Sequence, residues 1–382
     1  MNSAGNRGFL FDLREVNGAL GDLGTLLPLT LACIALAGLS APQVLMGFGV
    51  FYIGTGLIYR LPIPVQPMKA IAAVILVTQV SPTSIALSGI LIGLVLILLG
   101  AGGLIDKIAR LVPQSILSGL QLGLGLALGW IAIGLMQDAV PLGLVSLGLA
   151  VFCLRYGLHA AIVTLLVGAL IGHLTGASGL VDGTAPPSPF WWPQLPLQTD
   201  IRTAIVDLAL PQMVLTLTNA IILTSLVARD CFGDRAAQVS PRKLCLTSGL
   251  ANLVLAPLGA LPMCHGAGGV AAHHRFGART GAAPVLLGTA LLILATLPSE
   301  IRGAALTAIP SATLGALLLI AAGQLATSRR LFDCKPSCRP VIAITALATL
   351  VANPLVALIA GTAAELLRKA ILKRVLPPRA QI

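Results

Sequence analysis

Charged residues are scarce in this sequence, and that scarcity sets the class of protein. Only 10% of the 382 residues are charged and 4% are aromatic, whereas 57% are hydrophobic. The mean hydropathy is +0.96, a value typical of membrane proteins rather than soluble domains. This composition excludes a soluble binding module and predicts an all-α integral membrane protein whose first partner is the lipid bilayer.

The sequence also lacks the motifs of several chemistries. It contains no GxxxxGK[ST] phosphate-binding loop, so ATP is not expected as an energy source. The seven cysteines follow no secreted framework, and the lone CxxxC of Cys334 and Cys338 lacks the partner ligands of a zinc site. Cys264 and His265 are adjacent, and adjacent side chains rarely face each other as a nucleophile and its base do. We expect no enzymatic activity, no metal ligands and no cofactor.

Apolar segments of about 20 residues, the length of a membrane-spanning helix, follow one another along nearly the whole chain. We predict fourteen spans, two of them interrupted. With the N-terminus inside, all of the 24 Lys and Arg residues except Lys69, Arg202 and Arg302 fall on the cytoplasmic side, which the positive-inside rule favours. The net charge of +11 therefore indicates orientation in the inner (cytoplasmic) membrane, with both termini cytoplasmic, and not nucleic-acid binding.

The two halves of the chain resemble each other when one is shifted by 198 residues. Pro64 then falls on Pro262, and PVQPMKAIAA aligns with PMCHGAGGVAA. One residue short of the same offset, VPQSILSG meets IPSATLG. Seven spans per half is an odd number, so the second half must be inverted in the membrane, as in many secondary transporters.

Prolines interrupt one predicted span in each half. Pro62, Pro64 and Pro67 remove hydrogen-bond donors and bias the preceding residues toward extended backbone, and Pro262 does the same in the second half. Each segment then continues as a short helix, from about residue 68 and from about residue 266. Because the copies are inverted, the two helix N-termini point at each other, and their partial positive charges and unpaired N–H groups predict an anion site.

Lys69 lies one turn into the first of these short helices, and three glycines, Gly266, Gly268 and Gly269, open the second. Burying a charge at the bilayer centre costs about 2.5 to 3.5 kcal/mol, which an anionic ligand or the carboxylate of Asp22 would offset. The glycines would let a ligand approach the backbone closely. Alternatively, Lys69 extends to the membrane surface and Asp22 caps a helix kink.

Four motifs together resemble the molybdate transporters of bacteria and plants, relatives of the sulfate permeases: NGALGDLGTLLPL, PVQPMKAIAA, LPQMVLTLTNAI and PMCHGAGGVAAHHRFGARTG. The resemblance covers nearly the whole chain and implies the fourteen-span fold of the sulfate permease and uracil transporter group, with a core and a gate domain. The expected boundaries are a first repeat at 1–175 (core spans about 16–104, gate spans about 110–175), an extracytoplasmic linker at 176–205, and a second repeat at 206–382 (core spans about 206–298, gate spans about 302–374).

The resemblance also implies the substrate, the tetrahedral dianion molybdate, and the residues that would contact it. These are Gln66, Met68, Lys69 and Ala70 from the first half, His265, Gly266, Ala267 and Gly268 from the second half, and Thr25 and Asn219 as lateral donors. Thr25 and Asn219 have a second interpretation, as bridges between helices. A nucleobase transporter shares this fold, but the sequence places no aromatic residue beside Gln66 or His265 to stack on a base.

Import of a dianion needs energy, because moving two negative charges into a cell against about 100 mV costs roughly twice 2.3 kcal/mol. Our hypothesis is proton symport with Asp22 and His265 as the titrating groups. Sodium coupling and exchange remain alternatives. So do a general sulfate or tungstate permease and an anion channel of the same fold. Relatives of this fold are commonly dimers, so a homodimer is an expectation that the sequence leaves open.

Overall fold

The computed structural model describes residues 9–105, 107, 113–176, 194–327, 331, 334–352 and 354–375. The first half contains α1 (Leu13–Leu20), α2 (Leu23–Ala37), α3 (Ala41–Tyr59), β1 (Gln66–Pro67), α4 (Lys69–Val77), α5 (Pro82–Ala101), α6 (Gln114–Met136), α7 (Val140–Arg155) and α8 (Ala160–Thr175). The second half contains α9 (Gln198–Arg202), α10 (Leu210–Leu215), α11 (Thr224–Phe232), α12 (Pro241–Leu255), β2 (Met263–Cys264), α13 (Ala267–Arg275), α14 (Ala282–Thr296), α15 (Ser299–Thr307), α16 (Ser311–Ala326), α17 (Arg339–Val351) and α18 (Pro354–Val375). Two π-helical segments, Thr203–Ala209 and Thr216–Leu223, flank α10.

The helices are long and apolar enough to span a membrane at four places in the described part of the chain. These runs are Ala41–Tyr59, Pro82–Ala101, Gln114–Arg155 and Gln198–Gln238. The pair α1 and α2, bent by 46°, counts as a fifth if it is one broken span. The protein is thus helical and membrane-spanning, while the fourteen-span inverted repeat, its orientation and its domain boundaries remain predictions. Most of the predicted linker 176–205 lies outside the described residues.

Helices of the first half pack mainly against helices of the second half. The most extensive contacts join α6 to α16, α3 to α14, and α5 to α12. Glycines allow these helices to lie close together. A Cβ at Gly56 would lie 2.5 Å from the Gly281 carbonyl oxygen, and one at Gly93 would lie 2.8 Å from the Gly249 carbonyl oxygen. Small residues at such contacts let helix backbones approach closely where the lipid supplies no hydrophobic driving force.

The two extended segments pair with each other at the centre of this arrangement. Strands β1 and β2 are antiparallel, with Gln66 opposite Cys264 and Pro67 opposite Met263, and all four residues are buried. The N–H group of Met68 donates to the carbonyl oxygen of Pro262 over 3.0 Å. The paired residues Gln66 and Cys264 are separated by the same 198 positions that align the two halves of the sequence, so equivalent positions face each other as a local two-fold axis would place them.

Polar contacts hold α1 against the loop that follows α13 and against α8. The Glu15 carboxylate accepts from the N–H groups of Arg279 and Thr280, each over 2.9 Å. The side-chain amide of Asn17 donates to the Phe276 carbonyl oxygen and accepts from the N–H group of Ile162. Asp22 lies at the bend as the N-cap residue of α2, but its side chain makes no capping hydrogen bond.

We predict that Gly56→Ala destabilises the protein and that Gly54→Ala, two residues away on α3, does not. A methyl group at Gly56 meets backbone 2.5 Å away, whereas one at Gly54 meets nothing within 4 Å. Overpacking of this kind costs about 1 to 3 kcal/mol. Thermal unfolding of the detergent-solubilised variants measures it: Gly56→Ala should lower Tm by several degrees, and equal Tm values for the two variants would contradict this packing.

Candidate anion site

Two short helices begin where the strand pair ends. Helix α4 starts at Lys69 after the extended N-cap residue Met68, and α13 starts at Ala267 after the extended N-cap residue Gly266. Each helix has nine residues. Because β1 and β2 are paired, both helix N-termini lie beside the same two strands, and their exposed N–H dipoles make this region electropositive.

The Lys69 side chain brings a full positive charge to this region. Its ammonium nitrogen is buried and has no hydrogen-bond partner among the described residues. It attracts the carboxylate of Asp22 electrostatically, although no ion pair joins the two groups. The alternative in which Lys69 extends to the membrane surface is therefore wrong, because the ammonium nitrogen is buried inside the protein.

The side chains of Asp22 and Gln66 lie against the start of α13 and are hydrogen-bonded to each other. The Gln66 amide Nε2 donates to Asp22 Oδ1 over 2.7 Å, and the Tyr52 hydroxyl donates to Asp22 Oδ2 over 3.4 Å. Thr25 also donates a hydrogen bond to the Asp22 carboxylate. Asp22 and Gln66 are each 1% exposed, and Gln66 Oε1 has no hydrogen-bond partner among the described residues.

Two of the glycines predicted to admit a ligand instead admit these side chains. A Cβ at Gly266 would lie 2.1 Å from Gln66 Oε1, and a Cβ at Gly269 would lie 2.7 Å from Asp22 Oδ2. Glycine is therefore required at both positions for the Asp22–Gln66 pair to lie against α13. The pair is part of the wall of the site, on the side of the second helix.

The backbone amides of the two helix starts are not equally available. On α4, Met68 N donates to Pro262 O and Ala70 N donates to Gln212 Oε1 over 2.8 Å. On α13, the amides of residues 266, 267 and 268 have no acceptor among the residues that the structure describes. The predicted donors thus come together around the strand pair, and those of α13 are the ones without an acceptor.

The His265 side chain points into a polar network rather than into open space. Its Nδ1 donates to the Pro64 carbonyl oxygen over 2.9 Å, and its Nε2 lies 3.0 Å from the Thr247 hydroxyl. The ring packs against Phe51 and Tyr59, with centroid distances of 5.2 and 5.8 Å. The expectation of no aromatic neighbour was wrong, because α3 supplies both rings. A ligand contact by His265 would require one of its two hydrogen bonds to break.

Asn219 lines a cavity of its own. It belongs to the π-helical segment Thr216–Leu223 and lines a small cavity together with Thr218 on its own segment, Leu124 of α6 and Thr349 of α17. Its Oδ1 is buried without a hydrogen-bond partner among the described residues. Asn219 therefore faces the helices of the predicted gate spans.

A larger cavity, about 660 Å³ in volume, lies at the far end of α13. Its lining includes Arg155 at the end of α7, Arg275 at the end of α13, and apolar side chains of α7 and α16. At 1.5 Å per residue, nine-residue α13 separates this cavity from the strand pair by about 13 Å. One short helix thus runs between the candidate site and a cavity with two arginines.

Sequence reasoning missed two residues that shape the site, Gln212 and Tyr52. Both are buried polar groups in otherwise apolar helices, at 1% and 0% exposure. A polar side chain buried in a span is a signal for function. Yet their contacts, to Ala70 and to Asp22, join segments that are distant in sequence and that no local pattern connects.

Solved structures share this fold across nearly the whole chain. The transmembrane domain of a cyanobacterium bicarbonate transporter, BicA, matches with a TM-score of 0.55 and 17% identity, over 93% of this chain and 98% of that one. Murine Slc26a9, an anion transporter in an inward-facing state, matches with a TM-score of 0.64 and 13% identity, over 96% of this chain and 70% of that one. The chain therefore shares the fold of the membrane domains of these two proteins.

Sequence comparison identifies the family of this protein. A family model described as "Molybdate transporter of MFS superfamily" matches residues 14–128 and 204–325, more than half of the chain, so the protein belongs to the molybdate transporter family. Molybdate transporter 1 of Arabidopsis thaliana is 29% identical over 92% of this chain and 87% of its own. Molybdate transporter 1 of Chlamydomonas reinhardtii is 28% identical over 82% of this chain and 83% of its own.

We predict that Gly269→Ala displaces the Asp22–Gln66 pair and weakens anion binding, because the methyl group would lie within 2.7 Å of both side chains. Gly303→Ala is the matched control, since a Cβ there meets nothing within 4 Å. Titration calorimetry with molybdate measures the effect. Unchanged affinity in Gly269→Ala would show that the pair does not shape the site.

Proposed function

We propose that this protein is a secondary active importer of molybdate, in which the dianion binds between the N-termini of α4 and α13. The observation that carries the proposal is the Lys69 ammonium, buried at the start of α4 without a hydrogen-bond partner among the described residues. A buried cation is costly unless something compensates it. A dianion would supply that compensation, and membership of the molybdate transporter family names its chemistry.

The proposed contacts divide between charge and hydrogen bonding. Lys69 neutralises part of the anion's charge, while the amides of residues 266 to 268 donate to its oxygens. Gln66, Thr25, Met68, Ala70, His265 and Asn219 complete the proposed set. Among them Gln66 and Thr25 act through Asp22, to which both are hydrogen-bonded.

Proton coupling follows from the placement of Asp22. An ionised Asp22 partly neutralises Lys69 and repels an incoming dianion, whereas a protonated Asp22 leaves Lys69 free to attract it. Binding of the anion and binding of a proton therefore favour each other, and such reciprocity is the thermodynamic basis of symport. Asp22 is the stronger candidate for the proton carrier, because its carboxylate interacts electrostatically with Lys69.

The transport path in this proposal runs along α13. The core spans carry the two short helices, the gate spans supply α6, α7 and α16, and the cavity beside Arg155 and Arg275 is the cytoplasmic opening. Both termini lie on the cytoplasmic side of the inner membrane. A homodimer is the proposed assembly.

A second candidate function is a general permease for tungstate and sulfate. The observation that favours it is the chemistry of the donors, since an ammonium group and backbone amides recognise any tetrahedral dianion. An anion channel of the same fold is distinguished by current without coupling.

We predict that Lys69→Ala abolishes high-affinity molybdate binding, with Lys243→Ala, an exposed lysine on α12, as the control. Removing a charge-assisted contact costs about 1.5 to 3 kcal/mol, or about tenfold or more in Kd. Titration calorimetry with purified protein, with and without excess sulfate, measures it.

The molybdate site is supported if wild type binds molybdate in the presence of excess sulfate and Lys69→Ala does not bind it. Equal displacement by sulfate favours the general permease. Retained affinity in Lys69→Ala would show that the lysine does not contact the anion.

We also predict that an inward proton gradient stimulates molybdate accumulation in proteoliposomes and that Asp22→Asn removes this dependence. The neutral amide mimics the protonated carboxyl, so the variant should still bind molybdate. Uptake of radiolabelled molybdate with and without a pH gradient measures the coupling. Gradient-driven accumulation in Asp22→Asn equal to that of wild type would refute this role for Asp22.

A further inference from the structure

Gln212 contacts the start of α4 from a different helix. It lies in α10, the short α-helical turn between two π-helical segments, and is 1% exposed. Its Oε1 accepts from Ala70 N over 2.8 Å, and its Nε2 donates to the Thr216 hydroxyl over 2.9 Å. The backbone N–H at Ala70 can only donate, so it fixes which end of the Gln212 amide faces α4.

The two helix starts therefore differ in their hydrogen-bond partners. The α13 amides have no acceptor among the described residues, whereas the amide next to Lys69 is taken by the Gln212 carbonyl oxygen. That oxygen carries a partial negative charge at the helix N-terminus that also holds Lys69. An oxygen of an oxyanion bound at this helix start would compete with it for the Ala70 amide.

We propose that Gln212 is an affinity-determining residue, a built-in competitor that holds the Ala70 amide until an oxyanion displaces it. The inference rests on the proposed function, because it assumes that the anion binds at the start of α4. A charged oxygen is a stronger acceptor than an amide carbonyl, so a dianion can take the Ala70 amide from Gln212. A neutral ligand or a weak acceptor gains nothing from the exchange, and the site selects fully charged oxyanions.

The contact with Gln212 also gives the Ala70 N–H group an acceptor when no anion is bound. A buried N–H without an acceptor is costly, and Gln212 removes that cost in the empty state. The same contact must break on binding, so it lowers the affinity for the anion. Affinity low enough for release is a requirement for a transporter rather than a storage protein.

The alternative is that Gln212 only caps α4. The two roles predict opposite changes in anion affinity when the Gln212 side chain is removed. If Gln212 is a cap, its removal disorders the helix start and weakens anion binding. If Gln212 is a competitor, its removal frees an amide and tightens binding. Gln212→Glu separates them further, since a carboxylate would hold the amide more firmly and repel the anion.

The experiment is titration calorimetry with molybdate on purified full-length protein, with Tm recorded for each variant. We expect Gln212→Ala to lower Kd by about threefold to tenfold, the equivalent of one neutral hydrogen bond. Gln212→Glu should raise Kd by at least as much. Gln43→Ala is the matched control: Gln43 is also a buried glutamine, its hydrogen bond goes to the Leu258 carbonyl oxygen rather than to a short helix, and its removal should leave Kd unchanged.

Unchanged or weaker binding by folded Gln212→Ala overturns the inference. If that variant does not fold, Gln212→Asn replaces it, because the shorter side chain withdraws from Ala70 while keeping an amide. Failure of the inference differs from failure of the proposed function. If only the inference fails, wild type binds molybdate, Lys69→Ala does not, and Gln212→Ala binds no tighter than wild type. If the proposed function fails, Lys69→Ala binds molybdate as wild type does. That second result overturns the inference as well.

Discussion

The pairing of two extended segments, β1 and β2, is the constraint on which the rest of the molecule depends. Backbone that is not helical is tolerated at membrane depth only where its polar groups are satisfied within the protein. The antiparallel pair and the bond from Met68 to Pro262 supply that satisfaction. Because the strands hold each other, two helices can begin inside the protein rather than at its surface, and their N-termini lie beside one another.

The polar residues around these helix starts form a site that the protein partly fills itself. Asp22 and Gln66 lie against α13, and Gln212 takes an amide of α4. Lys69 Nζ, Gln66 Oε1 and the amides of residues 266 to 268 have no hydrogen-bond partner among the described residues. Under the proposed function, a bound dianion and the Asp22 carboxylate would both attract the Lys69 ammonium, so the protonation of Asp22 and the binding of the anion would be coupled.

Much of this arrangement could be predicted from the sequence, because prolines and buried charges act locally. Pro64, Pro67 and Pro262 predicted the extended segments, but the pairing of these segments, with Gln66 opposite Cys264, was not predicted. The reason for the glycines was only partly predicted, since Gly266 and Gly269 accommodate side chains of this chain. Gln212 and the aromatic neighbours of His265 were missed because helices distant in sequence supply them, and only the packed structure brings those helices together.

The most direct test of the central claim is a structure of the protein with bound tungstate, a heavy-atom analogue of molybdate. We predict one strong peak of anomalous density between the N-termini of α4 and α13, within hydrogen-bonding distance of Lys69 Nζ and the amides at the start of α13. Density only in the cavity beside Arg155 and Arg275, with the space around Lys69 empty at saturating tungstate, would contradict it.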